Sequence, residues 1–191
     1  MRYEFMRRAH PFVSEATYIP REPWDYYFLM QHFGMPTRLL DWTESALVAI
    51  YFTVRTSLER DDGCVWMLNP RSLARAAKGY DNILSASEAA EYLPPIWSHQ
   101  ALPPLPAAIQ PPFNSRRLAA QRGAFTIHGS DPAPLDSHAP LRDALAQIII
   151  RRSAKSAMRD ELDTAGITES LVFPDLAGLC RELTGLCRPE E

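Results

Sequence analysis

The chain has 191 residues, 46% of them hydrophobic and 23% charged, with a formal net charge of -3 and a pI near 6.0. That balance excludes a wholly disordered or collagen-like chain, and it gives no support to a dedicated nucleic-acid binder, whose domain pI usually exceeds about 9. The excess is in proline: 17 residues, about 9% against a usual level of about 5%, seven of them between Pro94 and Pro112.

Residues 2–9 predict a short helix that starts without a capping residue. After Pro20 and Pro23, the run Trp24 to Phe33 predicts an aromatic-rich helix stopped by Gly34. Pro36 forbids continuation, and Arg38–Trp42 is short and apolar enough for a strand. Thr43 is a suitable N-cap for a helix over 44–55, in which Leu47, Val48, Ile50, Tyr51 and Val54 have the spacing of one face. The turn Asp61-Asp62-Gly63 precedes a strand from Cys64 to Leu68, and Asn69-Pro70 opens a helix to about Lys78. From 80 to 114 the periodicity fails, which predicts an extended proline-rich loop over the domain, with Ile96, Trp97 and Leu102 as its apolar contacts. A short helix at 115–121 and a strand at 123–128 follow. Leu145–Ile150 is the strongest strand signal in the chain. Ser153 caps a helix to about Ala165, and the tail 170–186 is helical again with Pro174 in its first turn. The fold class expected is α/β or α+β: a single domain over 1–186 with a tail at 187–191, and one small mixed sheet of the four strands with helices around it.

Three cysteines, Cys64, Cys180 and Cys187, form no CxxC pair, which predicts a reducing compartment and neither a disulfide framework nor a metal site. Cys64 reads as a small buried thiol. There is no apolar stretch near the ~18 residues of a membrane span, and Met1–Arg8 lacks the apolar core of a signal peptide. The expectation is a cytoplasmic protein without membrane contact.

The densest chemistry is the run Gln31-His32-Phe33-Gly34-Met35-Pro36-Thr37-Arg38-Leu39-Leu40-Asp41-Trp42-Thr43. A helix end delivers Gln31 and His32, a Gly/Pro turn reverses the chain, and a strand carries Arg38 and Asp41 into a helix N-terminus, which favours anions. Alternation sets Arg38 with Leu40 on one face and Leu39 with Asp41 on the other. An arginine, a histidine and a helix N-terminus suit a nucleotide or small phosphate ligand. An internal Arg38–Asp41 ion pair, a plain cap at Thr43 and a satisfied His32 account for the same residues. A second cluster holds Arg117, Gln121, Arg122, Gly123, Phe125 and His128; Gln121 and His128 suit hydrogen bonds to a ligand amide or, equally, to a turn. The sequence contains no GxSxG, P-loop, GxGxxG or HExxH motif, and eight glycines are too few for a Gly-rich phosphate cradle.

The thirteen-residue run, continued by Ala46-Leu47-Val48-Ala49-Ile50-Tyr51-Phe52, closely resembles the central motif of the FRG-domain family, approximately Q-H-[YF]-G-[LM]-P-T-R-L-L-D-W-T followed by L-V-A-L-Y-F. Gln121-Arg122-Gly123-Ala124-Phe125-Thr126 resembles the family's later Q-x-G-x-F element, and the Ile-rich strand, the helix holding Lys155 and the stretch Thr168–Leu179 resemble its C-terminal portion. The Phe-Arg-Gly element that names the family is absent, and Met1–Ala9 resembles the helix that follows it, so the expectation is a chain that starts after that element. At the level of fold the element order also resembles ADP-ribosyltransferases. Asp41-Trp42-Thr43 feeding Ala49-Ile50-Tyr51-Phe52 is similar to their second element, and Gln121 ahead of Phe125 to their third. The resemblance implies NAD as ligand, with Arg38, Thr43 and Gln121 in catalytic roles and Gln31, His32, Asp41, Tyr51 and His128 as ligand contacts. Two alternatives stand beside it: a non-catalytic nucleotide- or nucleic-acid-binding module, which accounts for 18 arginines against 2 lysines, and a protein-interaction module using Pro94–Pro112 and Trp97.

Overall fold

Helix-forming runs alternate with short β-branched ones, and the computed structural model, which describes residues 1–13, 19–55, 61–94 and 101–186, is accordingly mixed α/β. The expectations for Ile96, Trp97, Cys187 and the tail 187–191 lie outside the described residues. The chain forms two compact units: Met1–Asp41 with Asn69–Ser115 and Ala124–Ala144, and Trp42–Leu68 with Arg116–Gly123 and Leu145–Glu191.

The first unit opens with α1 (Arg2–Ala9), where Glu4 pairs with Arg7 at 2.8 Å and Arg8 at 2.9 Å. Helix α2 (Pro23–His32) starts on a capping box: the Asp25 carboxylate accepts from the Arg21 and Glu22 amides, both at 2.9 Å. Gly34, at φ +74°, takes the left-handed conformation that turns the chain toward β1 (Leu39–Thr43). The sheet order is β1-β5-β4-β3, with β3 at Leu84–Ser85, β4 at Ala107–Gln110 and β5 at Gly123–Ile127. Strand β4 runs antiparallel to β5, Ala107 opposite Ile127, and parallel to β3, Leu84 opposite Ile109. Helix α4 (Pro70–Lys78) is capped by Asn69, which accepts from the Arg71 and Ser72 amides, and it packs on β4. The core is aromatic: Trp24, Tyr27, Phe28, Tyr92 and Phe125 are buried with Met30, Leu73, Ile109, Ile127 and Leu141, and Phe28 stacks on Phe125 at 5.2 Å.

The second unit holds α3 (Ala46–Arg55), β2 (Gly63–Leu68), α5 (Arg116–Ala120), β6 (Leu145–Ile150), α6 (Lys155–Thr164), α7 (Glu169–Val172) and α8 (Leu176–Leu186). Strands β2 and β6 pair antiparallel from Gly63 opposite Ile150 to Leu68 opposite Leu145. Tyr51, Val54, Ile150, Leu162 and Val172 form the core, joined by Ile50, Val65, Met158, Ile167 and Phe173.

Several details depart from the sequence reading. The four expected strands fall into two sheets. The segment 80–114 is not only a loop: it supplies β3 and β4, strands too short for periodicity to register. Helix α3 starts at Ala46, with Ser45 and not Thr43 accepting the Val48 amide, because Thr43 is still in the strand. The tail breaks at Pro174 into α7 and α8. Strand β6, read as strongly apolar, leaves Ile148 and Ile149 about half exposed (48% and 50%), and Cys64 is only partly buried. Among the described residues no helix is long and apolar enough to cross a membrane.

Candidate functional site

In the first unit the motif run folds around two hubs. Gln31, in the last turn of α2, accepts from the Thr37 hydroxyl through Oε1 and donates through Nε2 to the Asp41 carboxylate at 3.0 Å. Thr37 Oγ1 accepts in turn from the Leu39 amide at 3.1 Å. One amide side chain thus braces the Gly/Pro turn against the strand.

Arg38 is the second hub. Its amide donates to Tyr27 Oη at 2.8 Å and its carbonyl accepts from the His128 amide at 2.9 Å. Its guanidinium donates through Nη1 to the carbonyls of His128 at 2.5 Å and Gly129 at 3.1 Å, and through Nη2 to the Tyr92 carbonyl. The anticipated Arg38–Asp41 ion pair is replaced by these neutral acceptors, since Asp41 binds Gln31 and is exposed. Burial holds the Arg38 pKa below its ordinary value, and the nearby Arg2 charge acts in the same direction. Burial likewise holds the His128 imidazole below its usual pKa. His32 is exposed at the end of α2, edge-on to Phe33 at 4.9 Å. The structure therefore gathers Gln31 with Asp41 and Arg38 with His128, and the face alternation of Leu39 and Asp41 is lost, Leu39 being buried and Asp41 exposed.

In the second unit the turn after α5 is clamped by the start of the adjoining segment. Thr43 Oγ1 donates to the Gln121 carbonyl at 2.6 Å and the Glu44 amide donates to the Arg122 carbonyl at 3.0 Å. Between these anchors Arg122 sits at φ +46°, the sole described non-glycine residue in the left-handed region. Gly123 provides clearance: a Cβ there would lie 2.3 Å from Leu118 Cδ1. Gln121 Nε2 donates to the Val172 carbonyl at 3.1 Å, tying α5 to α7. From α7 the Glu169 carboxylate accepts the Tyr51 hydroxyl through Oε2 and Arg181 Nε at 2.6 Å through Oε1. Burial pushes the Glu169 pKa up, but these two donors outweigh it and hold the carboxyl below its ordinary range. Burial first, then the bond to Glu169, pushes the Tyr51 hydroxyl far above its usual pKa. Tyr51 is 1% exposed, so its ring is core and its hydroxyl positions Glu169. Phe173, following α7, lies beneath two guanidinium groups, Arg117 at 4.7 Å and Arg181 at 5.1 Å.

Thr43, Tyr51 and Gln121 are thus linked through α7, although they are widely separated in sequence. Arg117, Gln121, Arg122 and Gly123 of the second sequence cluster fall in this unit, whereas Phe125 and His128 fall in the first. Sequence reasoning missed Glu169 and Arg181. Thr168-Glu169 has the grammar of a helix cap with an acid in the first turn, and Thr168 does cap α7, so no pattern marked the carboxylate as anything more.

Residues 1–62 match the FRG domain family. Gln31, His32, Arg38, Asp41, Thr43 and Tyr51 lie inside the FRG match, while Gln121, His128 and Glu169 lie beyond it. No curated protein and no solved structure matches the chain.

Proposed function

We propose that this FRG-matching chain binds a nucleotide, that the nucleotide is NAD, and that the chemistry is transfer of its ADP-ribosyl group to an acceptor or to water. The observation that carries the reading is the meeting of α5 and its following turn with α7: Gln121 binds the Val172 carbonyl, Arg117 lies over Phe173 just after α7, and Glu169 opens α7. Arg117 is half-buried, and Phe173 is the partner of its guanidinium among the described residues. A planar cation in that state suits a pyrophosphate. The side-chain oxygen of Gln121 is left to accept from a ribose hydroxyl or a carboxamide. Glu169, held ionised by Tyr51 and Arg181, supplies fixed negative charge for an oxocarbenium-like transition state. The bond from ribose C1′ to the nicotinamide nitrogen breaks with its electron pair, nicotinamide leaves neutral, and the acceptor oxygen bonds to C1′ as its proton passes to solvent. Thr43 and Tyr51 act as positioning residues on Gln121 and Glu169.

Binding without turnover is the second reading, and the burial of Tyr51 favours it, since a sealed phenol contributes no contact of its own. Of the eighteen arginines, Arg7, Arg8, Arg55, Arg75, Arg122, Arg151 and Arg181 are each paired with a carboxylate, and these seven add nothing to a nucleic-acid reading. The test is NAD binding by calorimetry together with nicotinamide release and label transfer. Arg117→Gln is expected to weaken binding about tenfold. Glu169→Gln is expected to retain binding and lose release. Binding with no release by the wild type selects the second reading, and no NAD binding at all ends both.

A further inference from the structure

We propose that the first unit carries an oxyanion site around Tyr27, formed by Arg2, Arg38 and the indole N–H of Trp24, and that its ligand is a phosphate group. This site does not rest on the proposed function: it shares no residue with Arg117, Gln121 and Glu169, and it takes Arg38, which the resemblance had placed in a catalytic role, as a phosphate contact.

Two side chains and one main-chain amide meet Tyr27, which is itself fully buried. The Arg2 guanidinium carbon lies 5.9 Å from the ring centroid. The Trp24 ring meets it edge-on at 5.9 Å. The Arg38 amide binds its hydroxyl at 2.8 Å. Arg2 Nε is buried and has no hydrogen-bond partner, and Trp24 Nε1, on a residue only 4% exposed, is in the same condition. Trp24 also stacks on the Phe28 ring at 5.4 Å, a contact that leaves the indole N–H without an acceptor among the described residues. Buried donors are nearly always satisfied, so two orphans bordering one ring call for an absent acceptor.

The charges point the same way. Arg38 spends its guanidinium bonds on three main-chain carbonyls, which satisfy hydrogens but do not neutralise the cation. Arg2 lies close enough that its charge opposes that of Arg38. Two half-buried guanidiniums without a carboxylate partner among the described residues, plus an indole that can only donate, leave an environment made of donors and positive charge. The complementary ligand accepts through several oxygens and carries more than one negative charge. A phosphate group meets both conditions, and guanidinium recognises it preferentially.

The experiment follows the indole N–H resonance of Trp24 in the full chain, assigned by its loss in Trp24→Phe, during titration at constant ionic strength. Inorganic phosphate is one arm, ribose 5-phosphate the other, and chloride the control. The expected result is a saturable shift with phosphate and none with chloride; tighter saturation with the sugar ester would identify a phosphomonoester as the source. Arg2→Gln is expected to weaken binding by about tenfold and Arg2→Lys to restore part of it. Among the described residues no hydrogen bond of the Arg2 side chain is at stake, so these variants retain the native bonds of that part of the chain. Arg7→Gln, at an exposed residue paired with Glu4, should change nothing. A Trp24 resonance that ignores phosphate, or that responds equally in Arg2→Gln, overturns the proposal.

Discussion

Arg38 provides the sharpest test of what the motif run does. Its guanidinium holds the carbonyls of Tyr92 and of the adjacent pair His128 and Gly129, joining two segments far apart in sequence. A hydrogen bond with one charged partner contributes about 1.5–3 kcal/mol. Simple addition over three bonds would overshoot, because they share one head group whose loss is felt once and because neighbouring contributions are not additive. Arg38→Ala is therefore expected to cost about 3–5 kcal/mol. For a chain of this size that corresponds to a fall in Tm of roughly 6–20 °C. Arg38→Lys keeps the charge but reaches fewer carbonyls, since an ammonium lacks the planar fork, and should recover about a third of the loss.

Urea unfolding followed by far-ultraviolet circular dichroism, with tryptophan fluorescence as a second probe, reads these differences as shifts of the midpoint at constant slope. An Ala variant within about 1 kcal/mol of wild type would refute the bracing role. If ligand binding were lost in the same variant while stability held, Arg38 would be a ligand contact and not a brace. The two roles are separable because the main-chain carbonyls it holds contribute nothing to recognition.

Three further predictions concern backbone and pH. A Cβ at Gly129 would lie 1.9 Å from the Pro103 oxygen and 2.8 Å from that of Pro104, main-chain atoms that cannot rotate away, so Gly129→Ala should cost about 3 kcal/mol or more. Gly123→Ala meets only the tip of Leu118 and should cost about 1 kcal/mol; reversal of that order in urea melts would refute the reasoning. Arg122→Gly relieves a left-handed residue worth about 1–2 kcal/mol and gives up one exposed pair with Glu44 at 3.6 Å, so it should stabilise by about 0.5–1 kcal/mol. His128 is a base whose folded pKa is lowered, so its share of stability is present above its unfolded pKa and is lost as pH falls below about 6.5. His128→Gln should flatten that part of the stability profile. Glu169 is lowered as an acid and acts further down, below about 4.3; Tyr51→Phe, which removes its hydroxyl donor, should shrink the loss there.

Much of the helical framework was legible because its signals are local. Gly34 stops α2 at positive φ, Asn69 with Pro70 opens α4, and β6 carries three isoleucines in succession. The site was legible only in part. The motif run announced Gln31, Arg38 and Asp41, yet the partners that define their roles lie up to 91 positions away: Arg38 reaches Gly129, and Thr43 reaches Gln121. A local pattern cannot tell an arginine aimed at a carboxylate three residues on from one aimed at carbonyls in a distant turn. Glu169 escaped notice for the same reason, since its bond to Tyr51 spans 118 positions.

The proline-rich stretch shows how composition can mislead about rank in a fold. Proline donates no amide hydrogen and is excluded from the middle of a sheet, which makes a segment dense in it read as cover. Here Pro106 and Pro111 stand just outside β4 and leave four residues, Ala107–Gln110, between β5 and β3 in the sheet. The first three are almost fully buried. Two of them are alanines, and α4 lies against this strand with Leu73 and Ala74 buried, so small side chains let the helix approach closely. The Pro103 carbonyl, just upstream, accepts the Ser130 amide at 2.8 Å, and Gly129 is the residue whose missing side chain permits that approach. Gly129 also offers its carbonyl to Arg38. The prolines thus delimit a strand and fix the loop beside it, and through Gly129 that loop shares its position with the arginine of the motif. Substituting either Gly129 or Arg38 should therefore disturb the same segment, and the double variant should cost less than the sum of the two single ones.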